Sequence, residues 1–307
     1  MSKDGWVTGG VDGSRLWLIP PILALAWGLN WPAVKIMLTA LPPFTMRWIG
    51  LGGAAMLLFA LALARRQRLL PPRQVWRALT VSGLLNVAAF TLCTAFAQLH
   101  TTTSRAAVLA YTMPMMSALL AWALLGERLD RRGAGALALG STGIALLVWP
   151  ALQGLAGAEQ PAASWLGIVM PLLAALAWAL GTVVAKRWPL HGDRLVNTAW
   201  QLLIGAACGA LGAWWIGERL PEVIAPAALA ALAFHVVVAT AFAYVLWFVM
   251  LERLTATVSA LTTLMVPVVG VLGATALVGE RPSTADWIGF VLVLAGAALV
   301  LLQWRRA

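Results

Sequence analysis

Ten stretches of at least 17 residues carry no Asp, Glu, Lys or Arg: 16–34, 48–64, 78–104, 106–126, 133–158, 160–185, 195–217, 223–251, 254–279 and 287–304. A bilayer core is crossed by roughly 20 apolar residues of helix. The runs are too long for strands and lack the alternation of a membrane barrel. They predict an all-α integral membrane protein of ten transmembrane helices, with no room for a soluble domain. Charged residues make up 10% of the chain, against about 25% in soluble domains, too few to clothe a water-facing surface. The two cysteines, Cys93 and Cys208, fall inside apolar runs, which excludes a disulfide framework. The net charge of +10 reads as loops facing anionic headgroups and the cytoplasm. Exposed basic residues interleaved with aromatics are absent, so no nucleic-acid partner is expected.

The positions of Lys and Arg orient the chain. With a cytoplasmic N-terminus, the inner side holds Lys3, Arg15, Arg65, Arg66, Arg68, Arg73, Arg77, Arg128, Arg131, Arg132, Lys186, Arg187, Arg194, Arg253, Arg305 and Arg306, which is 16 of the 21. Lys35, Arg47, Arg105, Arg219 and Arg281 remain outside or near the outer ends. This bias predicts both termini inside. The polar N-terminal stretch lacks a signal-peptide cleavage pattern. Trp17, Trp149, Trp165, Trp188, Trp287 and Trp304 fall at span ends, as interfacial indoles do.

The chain also repeats itself at an offset of about 151 to 153. Pro20, Ala26-Trp27 and Lys35 match Pro171, Ala177-Trp178 and Lys186; Pro114 matches Pro267; Gly126-Glu127-Arg128 matches Gly279-Glu280-Arg281; Gly143 matches Gly296. Two five-helix units result, 16–150 and 164–304. An odd number of spans makes the second unit enter from the opposite side, so the repeats are inverted, an arrangement common among secondary transporters.

Two such units, each with Trp in its first helix and Pro in its fourth followed by Gly-Glu-Arg, resemble the EamA family of the drug/metabolite transporter superfamily, and among its members the YddG-type amino-acid exporters. The resemblance covers residues 16–304. It implies a basket-like ten-helix bundle in a bacterial inner membrane. A central cavity would be lined by the first, third and fourth helices of each half, with amino acids or related metabolites exported by alternating access.

Candidate functional residues follow from chemistry at membrane depth. Pro114 and Pro267 lie mid-span in corresponding helices and would kink them, freeing the carbonyls of Ala110 and Thr263. Such carbonyls are tolerated only where they face protein or a wet cavity; packing alone is the other reading. Asn30 and Asn86 carry amides that their own helical turns cannot satisfy. Tyr111, Tyr244, Trp27 and Trp178 suit an aromatic-walled pocket or ordinary interhelical packing. Thr263 can bond to its own helix or to substrate. His235 is an embedded ionisable group, a functional candidate by default. Glu127-Arg128 and Glu280-Arg281 would anchor helix ends or form a gate salt bridge. Gly205, Gly209 and Gly212 allow close helix approach, here within a monomer.

All 11 acidic residues fall in loops or at span ends, which argues against carboxylate-based ion coupling. No phosphate-binding P-loop, CxxC, HExxH or paired-histidine motif occurs, so neither cofactor nor metal is expected. The expected function is facilitative export of amino acids, aromatic and apolar ones included. A sugar-phosphate or nucleotide-sugar carrier is the alternative; it would want Lys or Arg deep in the cavity, whereas Lys35 and Lys186 lie at helix ends. An intramembrane enzyme would need a nucleophile–base pair that the chain does not offer.

Overall fold

With no water in a bilayer to satisfy backbone groups, an apolar segment must close its own hydrogen bonds, and a helix does so. The computed structural model describes residues 18–127, 131–156, 165–255, 259, 263–281, 284, 287–289, 291–292, 295–296 and 299. Among them the elements are helical: α1 (Ile19–Leu38), α2 (Pro43–Ala64), α3 (Arg73–His100), α4 (Thr103–Leu125), α5 (Arg131–Ala156), α6 (Trp165–Arg187), α7 (Arg194–Ile216), α8 (Pro226–Arg253) and α9 (Val266–Val278). These nine follow nine of the apolar runs in order. Seven, all but α5 and α9, are long and apolar enough to cross a membrane; α5 contributes the shorter apolar stretch Gly133–Leu146, and α9 with its leading turn spans Thr263–Val278. Arg128 lies outside the described residues.

Local structure recurs at the spacing of the sequence repeat. α3 widens into a π segment at Gly83–Ala89 and α8 at His235–Phe242; such segments gather at functional sites. Pro114 does not kink a continuous helix, as the sequence suggested. The first segment of α4 ends at Ala110, Tyr111 and Thr112 form a turn, and helix resumes at Met113. Pro114 thus stands in a first helical turn, where its missing N–H breaks no bond. Pro267 is placed likewise, behind the 3₁₀ turn Thr263–Met265. Both helices end on left-handed glycines, Gly126 (φ 70°) and Gly279 (φ 79°). The next amides, of Glu127 and Glu280, donate to Ala121 O and Ala274 O, each at 3.3 Å.

The packing is reciprocal. α2 lies against α7, α1 packs on α9 and α8, and α6 packs on α4 and α3. Gly205, Gly209 and Gly212 face inward: a Cβ on Gly205 would come within 2.5 Å of Val87, on Gly209 within 3.0 Å of the Trp48 amide, and on Gly212 within 2.3 Å of the Phe44 ring. The small-residue stripe therefore packs against other helices of the same chain. Leu25, Met56, Leu119, Trp122, Leu211 and Leu277 point outward, a surface suited to lipid and not to water. Trp149, Trp165 and Trp287 are exposed, and Arg77 lies 4.4 Å over the ring of Trp188; Trp17 and Trp304 lie outside the described residues.

Candidate functional site

α1, α2, α3, α4, α6 and α8 converge on a cavity of about 40 Å³ lined by Trp27, Asn30, Trp31, Arg47, Thr94, Gln98, Tyr111, Trp178, His235, Thr240 and Tyr244, with apolar neighbours. That is room for a few waters. Six of the sequence-derived candidates, Trp27, Asn30, Tyr111, Trp178, His235 and Tyr244, meet here. Its aromatic wall is built from both halves of the chain. Trp27 meets Trp178 edge-on at 5.4 Å between ring centroids and Tyr244 at 6.0 Å; Trp178 lies 4.7 Å from Phe90 and 5.2 Å from the fully buried Trp247. Trp27 Nε1 donates to Ala239 O at 3.1 Å, within the π segment of α8.

Asn30 and His235 join at 2.7 Å between Oδ1 and Nδ1. An amide oxygen only accepts, so Nδ1 donates; Nε2 lies 3.5 Å from Thr240 Oγ1. Asn86 does not reach the cavity. Its Nδ2 donates to Trp178 O at 3.0 Å, and its backbone carbonyl accepts from the Tyr244 hydroxyl at 3.1 Å, so it holds the two aromatic walls from behind. Thr263 is buried in the turn before α9 and does not line the cavity. Pro114 and Pro267 do not line it either; Pro114 opens the helix that begins at Met113, just after the turn that carries Tyr111.

Gly181 makes room for Asn86, since a Cβ there would stand 2.2 Å from Asn86 Oδ1. Gly181→Ala is expected to dislodge the amide at a cost of about 1–3 kcal/mol, read as a lowered Tm in detergent. A Tm unchanged from wild type would contradict this placement.

Arg47 is the residue that sequence reasoning missed. Counted as a charge bounding a span, it is instead the fifth residue of α2, inside the helix that Pro43 opens. It is 2% exposed and faces the cavity. Its Nη2 donates to Thr94 Oγ1 at 3.2 Å, while Nε has no partner. The Pro42-Pro43 pair, which starts the helix a full turn before Arg47, was the available signal. The expectation that the cavity holds no Lys or Arg is thereby corrected.

Among the described residues Glu280 forms a helix cap and not the gate salt bridge considered above; Arg128, of the other Gly-Glu-Arg motif, lies outside them. Glu280 caps α4: Thr103 N donates to its Oε1 at 3.0 Å, and Ser104 N to Oε2 at 3.2 Å, with the Ser104 hydroxyl also donating. A carboxylate there satisfies orphan amides and meets the positive end of the helix dipole. Arg281 is exposed. Glu127, two residues past the end of α4, is half-buried. At the Glu280 end of the bundle Glu218 accepts from Phe44 N (3.2 Å) and Thr45 N (2.6 Å), and Lys35 Nζ donates to Gln98 O (2.8 Å). Glu218 and Glu280 each tie the second half of the chain to the first. Glu280→Gln is expected to weaken the latch by about 1.4 kcal/mol, raising about tenfold the maleimide labelling, from that side, of a cysteine placed at Met113 in a chain without Cys93 and Cys208. Unchanged labelling would mean the contact does not hold that end shut.

The family model described as EamA-like transporter family matches the chain twice, over residues 17–149 and 165–302. The chain belongs to this family. It is therefore an integral membrane transporter of the drug/metabolite transporter superfamily. Relatives include the uncharacterized transporter YvbV of Bacillus subtilis, 24% identical across 94% of this chain and 92% of that protein. A "probable amino-acid metabolite efflux pump" of Escherichia coli is 24% identical across 93% and 95%, and Protein PecM of Dickeya dadantii 28% identical across 76% of each. One crystal structure superposes with a TM-score of 0.72 at 23% identity, covering 95% of this chain and 98% of that one, a likeness of fold. Within this EamA transporter the cavity lies where the aromatic and polar side chains of both halves meet.

Proposed function

We propose that this EamA transporter exports zwitterionic amino acids with apolar or aromatic side chains, by alternating access and down their own gradient. The observation that carries the reading is Arg47: a buried guanidinium with an unpartnered Nε, lining the same cavity as Trp27, Trp178 and Tyr244. The guanidinium fork matches a carboxylate, the rings accommodate the side chain, and an ammonium group is served by indole faces. A sugar phosphate carries two charges and wants more than one cation, whereas the described cavity wall offers Arg47 alone.

The fold we infer is ten spans in two inverted units, 16–150 and 164–304, in the bacterial inner membrane with both termini cytoplasmic. Reciprocal packing supports the two-fold relation: the first helix of each half meets the third and fourth of the other, and the second helices meet each other, as a two-fold axis requires. Inversion follows from five spans per unit. The transporter acts as a monomer without a cofactor, and not as an enzyme. The facilitative mode is supported by the described carboxylates, Glu127, Asp193, Glu218, Glu222, Glu252 and Glu280, each beyond a helix terminus or in its end turn.

Proteoliposomes loaded with labelled phenylalanine and leucine test the proposal. Release is expected without any pH or sodium gradient. Release no faster than from protein-free liposomes would sink the substrate assignment, and release that needs an imposed ion gradient would sink the facilitative mode.

A further inference from the structure

A second cavity, of about 250 Å³, opens at the end of the bundle opposite the Glu280 latch, beside the C-terminal ends of α6 and α8 and the start of α7. Its charged wall is Lys186 and the pair Arg194–Glu252, closed at 2.5 Å. Asn197 and Gln201 lie deeper, and Phe248 and Leu251 form an apolar side. From Arg194 to Gln201 the helix descends about 10 Å. Phe248 stands 6.4 Å from Tyr244 between ring centroids, and Tyr244 lines the central cavity, so an aromatic layer divides the two spaces.

The polar groups of this vestibule are set for a ligand. Gln201 is 1% exposed, and neither its Nε2 nor its Oε1 has a partner; Asn197, 4% exposed, leaves its Oδ1 unpaired. Buried amides without partners are costly unless something in the cavity completes them. Lys186 makes no hydrogen bond among the described residues. Its repeat counterpart Lys35 donates to Gln98 O, so the same position is hydrogen-bonded at one end of the bundle, while at the other Lys186 stands near the charges of Glu127 and Glu252. Arg47 and Thr198 are also counterparts, at the same offset of 151. The vestibule is thus the repeat mate of the arm of the central cavity that holds Arg47.

We propose that the vestibule is a second binding site for the zwitterionic amino acid, occupied before the aromatic layer parts. Lys186 takes the carboxylate, Glu252 faces the ammonium group, Gln201 and Asn197 complete the polar contacts, and Phe248 with Leu251 receives the side chain. The assignment rests on the amino-acid reading above, but its test separates the two.

Equilibrium dialysis of labelled L-phenylalanine against the purified full chain in detergent is expected to give two molecules bound per chain. Lys186→Met with Gln201→Leu should leave one, and Arg47→Met should leave the other. A single site lost with Arg47→Met but kept in the vestibule variant would overturn the proposal and leave the proposed function standing. A single site with the opposite behaviour would uphold the vestibule and remove the central assignment; no binding at all would overturn both. Should the double variant fail to fold, Thr198→Cys in a chain without Cys93 and Cys208 serves instead. Its maleimide labelling should fall at least fivefold with saturating L-phenylalanine, also in the presence of Arg47→Met. Undiminished labelling would mean the vestibule holds water only.

Discussion

Arg47→Met is expected to weaken phenylalanine binding at the central site about thirtyfold. A charge-assisted hydrogen bond contributes about 2 kcal/mol, and methionine keeps the length of the stem while removing every donor. The loss should appear as a raised KM for export and as a raised Kd for that site. Arg47→Lys should recover part of it, because the charge remains while the planar fork is lost. Thr94→Val should cost less, since it removes only the acceptor that orients Nη2. Wild-type KM in Arg47→Met would show that the guanidinium is a packing element alone. With no carboxylate beside Arg47 among the described residues, the same substitution also removes an unpaired buried charge. A rise in Tm together with the loss of binding is therefore the signature of a residue kept for ligand recognition.

The second large effect is expected from Trp178→Ala. The indole is 2% exposed and touches Trp27, Phe90, Tyr244 and Trp247, so truncation leaves a void at the meeting point of the two halves. In packed protein interiors such a loss costs about 3–5 kcal/mol, and a steep fall in Tm is the expected readout. Trp178→Phe should retain most of the stability. It should also lower the preference for phenylalanine over alanine in transport, because the wall against which a large side chain lies becomes shallower. An unchanged preference in Trp178→Phe would place the side chain elsewhere in the cavity.

The elements of the fold were largely legible in the chain because their signals are local. A run without charges closes into a helix wherever it lies, so nine apolar runs coincide with described helices. Pro, Gly and Glu at one offset produce the same proline in a first helical turn and the same left-handed cap in both halves, at Pro114–Gly126 and at Pro267–Gly279. The aromatic candidates were equally legible as residue types at membrane depth. Arg47 was not. In a count of charges it reads as a span end, and only the packing of α2 against α3 carries it into the interior beside Thr94. Asn86 shows the converse: its type pointed to a cavity wall, while the wide turn of the π segment directs its amide to the backbone of Trp178.

What the sequence by itself determined is the class of the molecule: a helical membrane protein, internally repeated, of the EamA family. Burial of apolar runs in lipid and the periodicity of a repeat depend on no long-range contact. What only the tertiary structure decided is the chemistry of its interior. Which charge is buried, which amide lacks a partner, and whether Glu280 meets an arginine or a helix terminus are set by contacts between residues far apart in the chain, 47 positions for Arg47 and Thr94 and 177 for Glu280 and Thr103. Helix packing fixes these contacts, and local sequence does not encode them.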